Sequence, residues 1–141
     1  MYQYKCKINK VLDGDTVDID LDLGFNIVLV NQRVRMAGVD TPESRTANKE
    51  EKPRGLLSKK KLAEKLPVGS WQIIETQKSD NNDDKFGRIL GVFILEDGTK
   101  VNDWLIQNHY AVPYKGENKD LTQADHQTNK KILIERGELT P

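Results

Sequence analysis

The chain has one cysteine, Cys6, and two histidines, His109 and His126, among 141 residues. A lone cysteine cannot close an internal disulfide or build a Cys-based zinc site. Two histidines exclude a His-rich metal centre as well, so any metal must be held mainly by oxygen. Aromatic residues make up 6% of the chain. No apolar run approaches the length of about 18 residues that a membrane-spanning helix needs. Net charge is also missing, because 22 Lys and Arg balance 22 Asp and Glu. That balance excludes a histone-like polycation and an acidic disordered tail. Residues Met1 to Asn9 alternate polar and apolar and lack the apolar core of a signal peptide. The sequence as written therefore predicts a cytoplasmic protein, unless a leader has been trimmed. With 36% apolar residues and no repeat or Gly/Ser linker, residues 1–141 read as one domain.

The zero net charge hides an asymmetry. Five aspartates and no cation lie between Asp13 and Asp22, whereas Ser44 to Leu66 carries eight cations against three glutamates. Separate acidic and basic zones suit a divalent cation at one and a polyanion at the other. They equally suit the wet face of a strand and the solvated face of a helix.

Val17 to Leu23 alternates strictly, which predicts a half-buried strand with Val17, Ile19, Leu21 and Leu23 facing inward. Gly24-Phe25-Asn26 reads as a turn, Ile27–Met36 as the next strand, and Tyr4–Leu12 as the preceding one, joined through Asp13-Gly14. Ser44–Pro53 reads as a loop. Arg54–Leu66 follows as a helix whose Leu56, Leu62, Ala63 and Leu66 can share a face, stopped by Pro67 and Gly69. Trp71–Thr76 and Arg88–Leu95 read as two more strands. Helices are expected at Val101–Tyr110 and at Leu121–Arg136, the latter opened by an Asp120/Gln123 capping box and closed by Gly137. This order fits an α+β fold that is mainly β: a five-stranded OB-type barrel with flanking helices, or an open sheet.

Three short clusters carry chemistry. Asp13-Gly14-Asp15-Thr16 brings two carboxylates together around a glycine, which suits a hard cation but also an ordinary hairpin turn. Arg33 and Arg35 alternate on a strand that leads into Val39-Asp40-Thr41-Pro42-Glu43, where Pro42 holds Thr41 extended and can turn its carbonyl outward. Asp83-Asp84-Lys85-Phe86-Gly87-Arg88 ends on an arginine that can grip a phosphate bidentately. Together they contain what phosphodiester hydrolysis requires: a metal-binding pair of acids, a carboxylate to orient or deprotonate water, and guanidinium donors for the charge that develops on phosphoryl oxygens.

Val11-Leu-Asp13-Gly-Asp15-Thr-Val17, Arg35, Val39-Asp40-Thr-Pro-Glu43 and Asp84-Lys-Phe-Gly-Arg88 resemble, in order and spacing, the motifs of the staphylococcal nuclease (thermonuclease) family, from about residue 8 to Arg136. The resemblance implies an OB-fold barrel with three helices. It further implies Ca²⁺-dependent cleavage of DNA and RNA at the 5′ side of the phosphodiester, leaving 3′-phosphates. Carried over by motif, Asp15 and Asp40 are metal ligands through their carboxylates, and Thr41 through its carbonyl, with Asp13 a supporting acid of the same turn. Glu43 positions or activates water, while Arg35 and Arg88 clamp the phosphate. Lys85, Tyr114 and Lys115 contact substrate. Two positions depart from the family pattern: Val112 stands where a second tyrosine packs on the nucleotide, and Phe86 replaces a frequent tyrosine. The competing expectation is a non-catalytic nucleic-acid or protein binding module on the same barrel. Such modules lose the acidic and arginine positions that this chain keeps. No apolar stripe points to oligomerisation, so a monomer is expected.

Overall fold

A computed structural model describes residues 2–77, 88–114 and 122–141. Five strands close a barrel in the order β1-β2-β3-β6-β5, and a short β4-β7 ladder lies beside it. The strands are β1 (Tyr2–Asp13), β2 (Thr16–Gly24), β3 (Ile27–Met36), β4 (Val39–Asp40), β5 (Trp71–Gln77), β6 (Ile89–Ile94) and β7 (Val112–Pro113). The helices are α1 (Glu51–Lys65), α2 (Val101–Gln107) and α3 (Gln123–Glu135). None of the described helices is long and apolar enough to cross a membrane.

The alternation read in β2 drives the packing. Val17, Ile19 and Leu21 point into the barrel with Cys6, Ile8, Val34, Ile74 and Phe93, all nearly or completely buried. Leu23, expected inside, is partly exposed instead. Its part of the β2–β3 hairpin overhangs the barrel, because a bulge at Asn31 (φ +51) redirects the strand and Asn31 N–H bonds to Asp20 Oδ1. Phe25 and Asn26 both take positive φ, the geometry of a tight hairpin turn. Asp18, Asp20 and Asp22 take the bland role. Asp18 pairs with Arg33, Asp20 accepts from Asn9 and Asn31, and Asp22 accepts from Gly24 N–H.

Three helix expectations need correction. The first helix starts at Glu51 rather than Arg54, because Pro53 falls in its first turn, where a missing N–H costs no hydrogen bond. Its buried face is Arg54, Gly55, Ser58 and Leu62, whereas Leu56 is exposed. The second helix ends at Gln107. The third begins at Gln123 behind Thr122, which makes no side-chain cap bond; Asp120 lies outside the described residues. Gly137 takes the positive φ (+79) of a helix stop, as expected.

The only parallel pairing among the described strands joins β3 to β6 at Val34–Ile89, Arg35–Leu90 and Met36–Gly91. Just past it, the buried Asn102 of α2 donates to Ala37 O (2.8 Å) and Gly91 O (3.2 Å) and accepts from Phe93 N–H (3.3 Å). One side chain thereby ties the link between β3, which carries Arg35, and β4, which carries Asp40, to β6.

Candidate active site

The β1–β2 turn sits hard against α1 and the β4 corner. A Cβ on Gly14 would lie 2.8 Å from Ser58 Cβ and 3.0 Å from Thr41 Cγ2, so only glycine allows the turn to dock this closely. Docking sends Asp15 towards β4. Its backbone carbonyl accepts from Met36 N–H (2.9 Å), and its carboxylate accepts from the Thr16 hydroxyl (3.0 Å) and Thr41 N–H (3.2 Å).

Arg35 closes the group. Its Nη1 lies 3.3 Å from Asp15 Oδ2 and its Nη2 lies 3.6 Å from Asp40 Oδ1. Nη1 also donates to Met36 O at 3.2 Å. Asp15, Arg35 and Asp40 therefore converge, which spacing in the sequence could not show. Two carboxylates aimed at one cation, with little water around them, form an environment that demands positive charge. Thr41 is buried, and its Oγ1 has no hydrogen-bond partner among the described residues.

Glu43 occupies the rim. Its N–H donates to Glu51 Oε2 (2.9 Å) while its exposed carboxylate is unpaired among the described residues. Asp40, Thr41, Glu43, Glu51 and His126 line a shared cavity of about 190 Å³. Asp13 stands apart from the metal candidates. Its Oδ1 takes both Ser44 N–H (3.1 Å) and the Ser44 hydroxyl, pinning the residue after Glu43 to the turn before Asp15. Arg88 does not line the Glu43 cavity but a separate one, with Leu12, Asp13, Thr16, Arg33 and Arg45. The Tyr114 ring is 6.0 Å from the Arg35 guanidinium carbon. Val112 pairs with Asp40 in the β4–β7 ladder and is 2% exposed, so its side chain belongs to the core and not to the cleft. Lys85 and Lys115, and with them Asp83 to Gly87, lie outside the described residues.

Two participants escaped the sequence reading. His126 of α3 is buried, and its Nε2 donates to Asp40 Oδ2 at 2.9 Å, so Asp40 is engaged on both oxygens. Ser44 grips Asp13 from just beyond the Glu43 corner. Neither carries a local pattern, because each acts across a long sequence separation: 86 residues for His126 and 31 for Ser44.

The model of the family described as staphylococcal nuclease homologue matches residues 33–133, which takes in Arg35, the β4 corner, Arg88 and most of α3. The chain belongs to the staphylococcal nuclease homologue family. Endonuclease YhcR of Bacillus subtilis (strain 168) is 30% identical over 115 residues, covering 79% of this chain and 9% of that protein. Succinoglycan biosynthesis protein ExoI of Rhizobium meliloti (strain 1021) is 30% identical over 120 residues, covering 85% of this chain and 58% of that protein. The chain thus spans less than two thirds of the length of either relative. The match to this family, with an endonuclease-named relative, makes the family a nuclease-type one.

Proposed function

We propose that the chain is a Ca²⁺-dependent nuclease that hydrolyses DNA and RNA at the 5′ side of the phosphodiester and leaves 3′-phosphates. The observation that supports it is the Arg35 guanidinium lodged between the Asp15 and Asp40 carboxylates, with Glu43 lining a cavity that it shares with Asp40.

The donor set fits a hard divalent ion: two converging carboxylates and the Thr41 carbonyl, all oxygen, with water and substrate completing the about six to eight ligands that Ca²⁺ takes. Such an ion would neutralise the two acids and polarise a nonbridging phosphoryl oxygen. Every other task falls to side chains. Glu43 accepts a proton as water attacks phosphorus. The bond from phosphorus to the 5′ oxygen breaks, and that oxygen takes up a proton from solvent as it leaves, while Glu43 returns its own to solvent. Arg35, released from the acids, donates its planar pair of N–H groups to the phosphoryl oxygens, where charge accumulates in the transition state. Tyr114 supports Arg35 through its ring face.

The test is cleavage of labelled single-stranded DNA and RNA at alkaline pH with Ca²⁺ or with EGTA, beside Glu43→Gln. Calcium-dependent products ending in 3′-phosphate, nearly abolished in Glu43→Gln, are the expected result. Intact substrate in every lane, with oligonucleotide binding retained, would instead make the chain a non-catalytic binding module.

A further inference from the structure

The cavity that holds Arg88 is a second basic feature, distinct from the acid-lined cleft. It is open, encloses about 340 Å³ and is lined by Leu12, Asp13, Thr16, Arg33, Arg45 and Arg88. Its three arginines come from three segments: β3, the loop after β4, and the start of β6. Three guanidinium groups around one cavity make its potential positive and attract an anion, although Arg33 is already paired with Asp18. The lone carboxylate of the lining, Asp13, already spends one oxygen on Ser44 N–H and the Ser44 hydroxyl.

The arginines have donors to offer. Arg33 is held by Asp18 through Nε (2.9 Å) and Nη2 (3.2 Å), which fixes the plane of its guanidinium and leaves Nη1 outside the pair. Arg45 is exposed and makes no ion pair among the described residues. Arg33 and Arg88 each stand one residue ahead of the Val34–Ile89 pair, which sets them abreast on neighbouring chains. Arg33 is also two residues before Arg35 on one face of β3, a rise of about 7 Å. Arg33 and Arg35, spaced along β3, with Arg45 lining the same cavity as Arg33, therefore suit a ligand with successive anionic groups rather than a single one.

We infer that this cavity is a subsite for the sugar-phosphate backbone of a polynucleotide, gripping phosphates next to the one held at Arg35, with Arg33 and Arg45 as its binding residues. The identity of the ligand rests on the nucleic-acid reading above, but binding at this subsite does not require cleavage. Contacts of this kind carry no base information, so the subsite adds affinity and register without sequence preference.

The experiment measures fluorescence anisotropy of a labelled single-stranded oligonucleotide in EDTA over a series of NaCl concentrations, for wild type, Arg45→Ala and Arg33→Ala/Arg45→Ala. Each lost phosphate contact should flatten the slope of log K against log salt by about 0.7. Affinity should fall on the order of fivefold for Arg45→Ala, the size of one partly exposed ionic contact. Thermal unfolding of Arg45→Ala should match wild type, because no internal partner is lost. Inorganic phosphate and a mononucleotide serve as competing probes and should lose less affinity than the oligonucleotide in Arg45→Ala. An unchanged slope in Arg45→Ala, or no oligonucleotide binding by wild type, overturns the inference. A loss of inorganic phosphate binding as large as that of oligonucleotide makes the cavity a simple anion site and overturns it too. Wild type that binds with the expected slopes but never cleaves with Ca²⁺ removes the proposed function and keeps the subsite.

Discussion

Gly55→Ala is expected to destabilise the protein, against the usual sign for such a change. Gly55 lies inside α1, where alanine is ordinarily the better residue by about 1 kcal/mol. Here the helix is pressed onto the corner that carries Glu43. A Cβ on Gly55 would stand 2.1 Å from Glu43 O, 2.2 Å from Glu43 C and 2.5 Å from Ser44 N. Favourable contact begins at about 3.5 Å, so α1 and the corner must separate by more than about 1 Å. Every atom struck is backbone, so no rotamer change relieves the clash. Overpacking of this kind costs about 1–3 kcal/mol, and unyielding neighbours put it near the upper end. Set against the helix preference, a net loss of about 2 kcal/mol remains. At this chain length that corresponds to a fall in Tm of roughly 8 °C. Calorimetry and urea unfolding of wild type and variant measure it directly. A Tm that rises by a few degrees would show that helix and corner are not in contact, and would refute the account of how Glu43 is held.

Three further outcomes follow from contacts at and below the site. His126→Ala removes a donor from the buried Asp40 carboxylate and should cost about 1–3 kcal/mol of stability; urea unfolding in EDTA reads it, and an unchanged midpoint would remove His126 as a brace. Arg35→Lys keeps the charge and loses the planar fork, so turnover should fall at least tenfold with substrate binding reduced less; near-wild-type turnover would take Arg35 out of the phosphate clamp. Burial pushes the Cys6 thiol up to about 12, only partly opposed by the Gln72 backbone, whereas an unfolded thiol titrates near about 8.5. Its contribution is complete below about pH 8.5 and is lost as pH rises towards 12, at up to about 1.4 kcal/mol per pH unit. Urea midpoints of wild type should therefore decline more steeply above about pH 8.5 than those of Cys6→Ala; parallel curves would contradict this.

Strong periodicity made the strands legible, whereas their closure into a barrel rather than an open sheet was implied by the family resemblance. Ile27–Met36 was bounded correctly from its composition and flanking turn, and Val17, Ile19 and Leu21 were placed inside by alternation alone. Leu23 continued the same alternation and was misplaced, because a pattern of period two does not reveal where a strand leaves the barrel. Pro53 misled in the same way: a breaker inside a helix is a permitted residue in its first turn, and only the backbone tells which applies. At the site, the motif residues Asp15, Arg35 and Asp40 were legible as types and positions. Their convergence depends on Gly14 docking against Thr41 and Ser58, a tertiary contact. His126 was invisible for a related reason. Its partner lies 86 residues away, and nothing in the local sequence of α3 marks one histidine for burial.

The same long separations order the events of synthesis. β1 finds its closing partner only when β5 has been made, with Tyr2 opposite Thr76. β3 then waits for β6, and Asp40 for His126. Pairings so distant in sequence form late, after the intervening chain is available. Until α3 has been made, Asp40 exists without the histidine that braces it. The acid site is therefore among the last features of the fold to be fully braced, because its final contact comes from a helix residue 86 positions downstream of Asp40.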